Sequence, residues 1–164
     1  MAKLEILPKR VDYLEVGNPA SEFRINIDIL NEAFGVGRSM YARACYPDKK
    51  NTWITGNNPD DKIAIWVAKL YGNSSEWANS ISADGKTIYE IAEPSRTTDW
   101  THSSDSDYIR IAFLKESPKS PYKFVGVFEN ENMDFLKHSY RRIATKIKLI
   151  GNPVIKVELL DDIR

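Results

Sequence analysis

The chain has 164 residues, with 23 Lys plus Arg against 23 Asp plus Glu, so its formal net charge is zero. This length predicts one domain over residues 1–164, with residues 1–10 as a loose lead-in, and the overall charge gives no argument for a polyanionic partner. Cys45 is the single cysteine, which excludes an intrachain disulfide and suits a reducing compartment. The sequence has no apolar stretch of about 18 residues and no export-type N-terminal segment, so we expect a cytoplasmic chain.

Strand patterns dominate the chain. Residues 11–16 favour a short strand, after which Asp28 is expected to cap a short helix that ends at Phe34 before Gly35. A second short helix is predicted over 132–137. Further strands are predicted at 41–46, 62–70, 75–91 (a hairpin), 109–114, 122–129 and 154–159, with 62–70 central because it is apolar on both faces. This pattern predicts an α+β fold that is mainly β, with a curved antiparallel sheet closed or half-closed into a barrel.

The predicted hairpin carries an unusual set of polar and aromatic residues. Trp77 and Asn79 are two residues apart on its first strand, so both point to one face. A two-residue Asp84-Gly85 turn puts Glu90 across from Asn79, whereas a four-residue loop puts it across from Trp77. All three then share a face, although a three-residue loop would turn Glu90 away. A surface of this kind suits a flat, polar ligand better than a plain core does.

Two other segments are candidate parts of a site. Residues 93–107 form a long polar stretch with no strand pattern, and loops of this length are either functional or disordered. Trp100 favours the functional interpretation, so Arg96 and Trp100 are candidate site residues. Residues 137–148 contain several cations and no acid, which predicts a locally cationic face able to contact phosphates. The candidate phosphate contacts are Lys137, Tyr140, Arg141, Arg142 and Lys146. A solvated strand or helix face is the alternative interpretation of this basic run.

The sequence contains little that predicts catalysis. Asp48, followed by Asp60-Asp61-Lys62, matches a short pattern of Mg²⁺-dependent nucleases, but its second half lies in turn-like sequence. The two histidines, His102 and His138, cannot form a His-rich metal site. We therefore predict no catalytic residue, no metal and no cofactor. Of the four tryptophans, Trp66 is predicted to belong to the core.

Several motifs, taken in order, resemble the C-terminal SRA-like domain of the modification-dependent restriction endonucleases that cut near 5-hydroxymethylcytosine. The match covers most of residues 20–145. It rests on the Lys69-Leu70-Tyr71 triplet, the Glu-Trp-x-Asn unit ending at Asn79, the Ser-Ala-Asp-Gly turn at 82–85 and the Tyr-x-Phe-x-Gly-Val-Phe strand at 122–128. Val67-Ala68 departs from the aromatic and proline that the family tends to have there.

The resemblance implies a half-open, SRA-like or PUA-like barrel that reads modified cytosine in double-stranded DNA by flipping it out of the duplex. The base pocket would contain Trp77, Asn79, Glu90, Trp53 and Tyr71. Trp77 would stack on the base, Glu90 would accept a hydrogen bond from the N4 amine, and Asn79 would donate to N3 or O2. Thymine lacks that amine and would be rejected.

In that family a catalytic domain precedes the DNA-reading domain, and we expect a chain of this length to have no room for both. The resemblance therefore does not imply cleavage by these residues, and a separate nuclease subunit is a candidate partner. Two alternatives remain open at this point. One is a Mg²⁺-dependent nuclease or nuclease subunit that uses Asp48 and Asp60. The other is an RNA-binding or protein-interaction domain of the same barrel class.

Overall fold

The computed structural model describes residues 11–34, 45–46, 54–55, 62–71, 77–92, 108–133, 137–151 and 155–163, and within them twelve strands form two sheets. The strands are β1 (Tyr13–Glu15), β2 (Glu22–Phe23), β3 (Cys45–Tyr46), β4 (Ile54–Thr55), β5 (Ile63–Lys69), β6 (Trp77–Ile81), β7 (Thr87–Ala92), β8 (Ile109–Lys115), β9 (Tyr122–Met133), β10 (Lys137–Ala144), β11 (Lys146–Ile150) and β12 (Ile155–Leu159). Because strands far outnumber helical turns, the predicted α+β, mainly β class is confirmed.

The helical segments are short and lie near the start of the described chain. A 3₁₀ turn spans Pro19–Ser21, and an α-helical turn over Asn26–Asp28 continues as a wider, π-type turn over Ile29–Ala33. Ile25 holds the N-cap position of the α-helical turn and Asp28 that of the π-type turn, and neither makes a side-chain capping hydrogen bond, so the predicted capping by Asp28 is wrong. No helix among the described residues is long and apolar enough to cross a membrane.

The larger sheet has the strand order β3-β5-β8-β9-β10-β7-β6, with β2 paired to β9, and the smaller sheet has the order β1-β11-β12-β4. Two pairs are parallel, β5 with β8 and β12 with β4, and the other described pairs are antiparallel. The predicted central strand is confirmed: β5 lies between β3 and β8, and every residue from Ile63 to Ala68 is buried. This burial on both faces explains its continuous apolar sequence.

Strand β10 is bounded by β9 of the same sheet at one end and by the passage to the smaller sheet at the other. Strand β9 runs to Met133 and β10 begins at Lys137, so the helix predicted over 132–137 is wrong for the residues described there. The chain passes from the larger to the smaller sheet at Thr145, between β10 and β11. The Asp161 carboxylate fixes this corner by accepting hydrogen bonds from the backbone N–H groups of Thr145 and Lys146, at 2.9 and 3.0 Å, and from the Thr145 hydroxyl.

The larger sheet buries apolar side chains on both faces. One face packs against the helical segment and the smaller sheet, with Phe113 and Phe124 among its fully buried members. The opposite face, called the Trp66 face below, carries Trp66, Ala68, Ile88, Ala112, Leu114, Phe128 and Tyr140. The Trp66 face is where the polar residues of the hairpin converge.

Candidate functional site

The hairpin of β6 and β7 has the register that a two-residue Asp84-Gly85 turn predicts. Asn79 lies directly across from Glu90, and Ile81 lies across from Ile88. Gly85 adopts φ +75° at the turn and donates its N–H to the Ser82 carbonyl at 2.9 Å. The glycine is needed because a positive φ is costly for residues with a Cβ. The turn chemistry therefore sets which residues face each other.

The paired Asn79 and Glu90 point to the Trp66 face. Ile88 and Ile81, one step along the same face, contact the buried cluster that contains Trp66 and Tyr140. Trp77 begins β6 and pairs through its Cα with Ala92, so the register puts it two residues from Asn79 on the same strand. Its predicted stacking role stays a prediction.

Strand β10 supplies the residues that surround the Glu90 carboxylate. The fully buried Tyr140 donates its hydroxyl to Glu90 Oε1 at 2.7 Å, and His138 Nδ1 lies 3.5 Å from the same oxygen. The Glu90 side chain is 15% exposed, so it lies mostly inside the protein without being fully enclosed. A buried carboxylate needs such donors to remain charged.

Opposing effects set the charge state of Glu90. Burial raises the pKa of its carboxyl, but the nearby His138 imidazole, the positive charge of Arg110 and the hydrogen bond from Tyr140 lower it further than burial raises it. The net pKa lies below the ordinary value for glutamate. Glu90 is therefore an ionised hydrogen-bond acceptor at neutral pH.

Arg110 and Trp66 complete this cluster from neighbouring strands. The Arg110 guanidinium carbon lies 4.5 Å from the centroid of the Tyr140 ring and 4.9 Å from that of Trp66. The centroids of the Trp66 and Tyr140 rings are 4.9 Å apart, and the angle between the ring planes is 59°. Trp66 lies in the core as predicted, with 3% of its surface exposed, whereas Arg110 and His138 are not among the predicted site residues. The detectable sign was a lone arginine inside the apolar strand Ile109–Lys115.

Two amides on the Trp66 face have buried polar atoms without a hydrogen-bond partner among the described residues. These atoms are Oδ1 of Asn79 and Nδ2 of Asn130, and Asn130 lies across from Tyr140 on β9. A buried polar atom left unsatisfied costs about 1–3 kcal/mol. Such atoms are satisfied by ordered water or by a bound ligand.

The predicted basic run does not form a single cationic face. Lys137 and Arg141 are exposed on β10, on the face opposite to the buried His138 and Tyr140, and Arg141 pairs with Glu129 at 2.5 Å. Lys146 lies in the smaller sheet, near Glu15. The alternation of side chains along β10 is the physical reason.

Tyr140 and Arg142 accordingly change their assignments. Tyr140 is fully buried, which contradicts its predicted contact with phosphate, so we place it in the Glu90 cluster. Arg142 is half-buried, with Nη1 3.4 Å from the Val125 carbonyl, and its aliphatic stem lies against Gly126. Its contacts are those of a packing residue between β9, β10 and the hairpin turn.

The remaining predicted site residues lie apart from this cluster or outside the described ranges. Tyr71 follows β5 and is half-buried, with Lys69 Nζ 5.9 Å from its ring centroid. In the strand order, β8, β9 and β10 separate β5 from β7. Trp53, Arg96 and Trp100 fall outside the described residues, as do Asp48, Asp60 and Asp61. In the part of the chain that is described, no group of three or more His, Cys, Asp or Glu side chains could hold a metal ion.

Comparisons with known proteins identify the family. The family model of the SET and RING associated (SRA) domain matches residues 22–149. A comparison with curated proteins finds no match. Among solved structures, the chain is similar to "The 5-Hydroxymethylcytosine-Specific Restriction Enzyme AbaSI", at 18% identity and a TM-score of 0.45, over 85% of this chain and 42% of that enzyme. The chain thus spans less than half the length of that enzyme. Because the family model covers well over half of the sequence, the chain belongs to the SRA domain family, whose members bind DNA.

Proposed function

We propose that this SRA domain reads a modified cytosine, 5-hydroxymethylcytosine or a close relative, that is flipped out of double-stranded DNA onto the Trp66 face beside Asn79 and Glu90. The observation that carries the proposal is the direct cross-strand pairing of an amide with an ionised, mostly buried carboxylate. An arrangement of this kind offers both a donor and an acceptor to one flat polar ligand.

The chemistry of cytosine fits these two groups. The N4 amine of cytosine is a donor that the Glu90 carboxylate accepts, and N3 or O2 accepts from the Asn79 amide. Thymine presents an acceptor where cytosine has the amine, so the negative charge of Glu90 repels it. Flipping costs roughly a few kcal/mol of unstacking, which these hydrogen bonds and base stacking offset.

The unsatisfied Oδ1 of Asn79 supports a ligand at this position. In the free protein this atom is buried and has no partner among the described residues. A bound base that donates to Oδ1, or a rotated amide that donates to the base, removes this cost. Binding therefore offers Oδ1 a partner that the described residues do not supply.

The aromatic and backbone contacts of the proposal come from the other predicted residues. Trp77, and Trp53 as a further partner, would stack on the flipped base, a contact worth about 1–3 kcal/mol per base. Lys137, Arg141 and Lys146 would contact phosphates without regard to modification. In this proposal the domain itself does not cut DNA, and any cleavage is carried out by a separate nuclease domain or subunit.

The proposal is tested by titrating matched duplexes that contain cytosine, 5-methylcytosine, 5-hydroxymethylcytosine or glucosylated hydroxymethylcytosine. We expect a modified duplex to bind most tightly. Glu90→Gln keeps the side-chain shape but replaces a charged acceptor, so it should weaken binding of that duplex by about 1–3 kcal/mol. Binding to the unmodified duplex through phosphates should hardly change.

The matched control is Glu158→Gln, which removes a carboxylate from β12 in the smaller sheet. Glu158 lies across from Lys148 in the register of β12 with β11. This control should retain the wild-type ratio of modified to unmodified affinity. Equal affinity of the wild type for all four duplexes would overturn the proposal, and tighter binding to a matched RNA would favour the RNA-binding alternative. A ratio unchanged by Glu90→Gln would remove Glu90 from the site.

A further inference from the structure

Arg110 is a cation in an apolar environment. It lies on β8 between Ile109 and Ile111, pairs with Phe128 on β9 and is 6% exposed. Arginine is rarely buried to this extent, because removing its charge from water is costly unless neighbouring groups compensate. Its neighbours should therefore indicate its role.

The guanidinium of Arg110 lies against two aromatic rings. Its central carbon is 4.5 Å from the Tyr140 centroid and 4.9 Å from the Trp66 centroid. A planar guanidinium attracts the faces of aromatic rings and stacks on them, which a lysine ammonium does less well. Arg110 thus helps to fix the orientation of the Tyr140 ring on the Trp66 face.

The orientation of Tyr140 matters because its hydroxyl reaches Glu90. Tyr140 donates to Glu90 Oε1 at 2.7 Å, so a rotation of the ring would break this bond. Among the described residues, the groups that face Glu90 are His138 and Tyr140 on β10, Arg110 on β8 and the neutral Asn79 on β6. The positive charge of Arg110 lowers the pKa of Glu90, against the effect of burial, which raises it.

We propose that Arg110 is a positioning residue of the site: its guanidinium lies against the Tyr140 ring and holds that ring in place to donate to Glu90. Arg110 acts through these two residues and does not itself contact the base. Its effect on DNA binding rests on the proposed function, whereas its effect on Glu90 does not. The two parts can therefore be tested separately.

The first test uses the free protein. The titration of the Glu90 side-chain carboxyl is followed by NMR with ¹³C-labelled glutamate in the wild type, Arg110→Met and Lys115→Met. Lys115 is the matched control, because it lies on the same strand with its Nζ 5.4 Å from the Tyr122 ring centroid. We expect the midpoint for Glu90 to move to higher pH in Arg110→Met and to stay at the wild-type value in Lys115→Met. Equal midpoints in all three proteins would overturn the inference.

The second test measures the ratio of modified to unmodified duplex affinity across pH. In Arg110→Met this ratio should fall by on the order of tenfold at neutral pH. The pH at which the ratio changes should follow the titration midpoint of the Glu90 carboxyl. A wild type that does not discriminate between the duplexes, together with a shifted Glu90 midpoint in Arg110→Met, would overturn the proposed function and leave the role of Arg110 toward Glu90 supported.

A further measurement covers the case in which Arg110→Met does not fold. The guanidinium resonances of Arg110 in the wild type should shift with the same midpoint as the Glu90 carboxyl, because the two charges interact. Guanidinium resonances that do not respond to the ionisation of Glu90 would overturn the inference without any variant.

Discussion

The hydroxyl of Tyr140 donates to Oε1 of Glu90 across 2.7 Å and joins two neighbouring strands of the larger sheet. Tyr140 is fully buried, whereas the Glu90 side chain is 15% exposed. The bond therefore links the core of the protein to a partly exposed carboxylate. Stability and ligand recognition should both depend on it.

Replacing Tyr140 with Phe removes this hydrogen bond and keeps the ring. We expect Tyr140→Phe to lower the free energy of unfolding at neutral pH by about 1.5–3 kcal/mol, since the bond has a charged acceptor. The pKa of Glu90 is lowered in the folded protein, so its ionised form stabilises the fold above the unfolded pKa, and this stabilisation is lost as pH falls through the folded pKa. The difference between Tyr140→Phe and wild type should thus shrink in acid.

Urea unfolding of both proteins at neutral and acidic pH measures this difference. Tyr89→Phe is the matched control, because Tyr89 lies on β7 next to Glu90 but on the opposite face, with Lys137 Nζ 4.9 Å from its ring centroid. A constant difference across pH for Tyr140→Phe would show that the hydroxyl does not act through the charge of Glu90.

The hairpin shows which parts of the site the sequence could predict. The Asp-Gly turn is a local feature that determines strand register, so the pairing of Asn79 with Glu90 followed from a few residues. The continuous apolar pattern of Ile63–Lys69 predicted its central position for a similar reason. Both features depend on neighbours in sequence.

The roles of Tyr140 and Arg110 could not be predicted in this way. They depend on which strands become neighbours, and β8, β9, β10 and β7 come together through long-range pairing. The pairing of β10 with β9 also shifts between Ser139 and Tyr140. A shift of this kind is not visible in a sequence pattern. A change of one residue in the register moves a side chain to the other face of the sheet.

Gly126 should be less replaceable than Gly17, although both have a positive φ. A Cβ at Gly126 would lie 2.8 Å from the Ala144 carbonyl oxygen and 2.5 Å from Arg142 Cδ, and its φ is +127°. Gly17, at φ +85°, has nothing within 4 Å of the same position. Gly17→Ala should therefore cost only the conformational strain, about 1 kcal/mol, and Gly126→Ala should cost about 2–4 kcal/mol because backbone must also move. Thermal or urea unfolding of both variants compares them, and equal losses would contradict this account.

The corner at Thr145 should depend on the charge of Asp161. Burial raises the pKa of this carboxyl, but hydrogen bonds from the Thr145 hydroxyl and from the backbone N–H groups of Thr145 and Lys146 lower it more, and the net pKa lies below its ordinary value. The carboxylate therefore stabilises the fold above its unfolded pKa, and this effect is lost as pH falls through the folded pKa.

Asp161→Asn should accordingly destabilise the protein at neutral pH by about 1 kcal/mol, a modest value because the site is partly exposed to solvent. The wild type and Asp161→Asn should converge in stability in acid. Asp162→Asn, at the neighbouring exposed residue, is the control. Curves for Asp161→Asn that remain separated by the same amount at all pH values would argue against a role of the charge.

The basic residues of β10 and β11 should divide into two classes when DNA binding is measured against salt concentration. Lys137, Arg141 and Lys146 have side chains that reach solvent, so replacing any of them with Ala should weaken modified and unmodified duplexes alike. Removing one ionic interaction with a phosphate should reduce the slope of log K against log salt by about one.

Arg142 instead packs against Gly126 with Nη1 near the Val125 carbonyl, so Arg142→Ala should lower the free energy of unfolding and leave the slope unchanged. A reduced slope for Arg142→Ala at wild-type stability would return Arg142 to the phosphate-binding residues, and unchanged slopes for the other three variants would make this basic run an ordinary solvated surface.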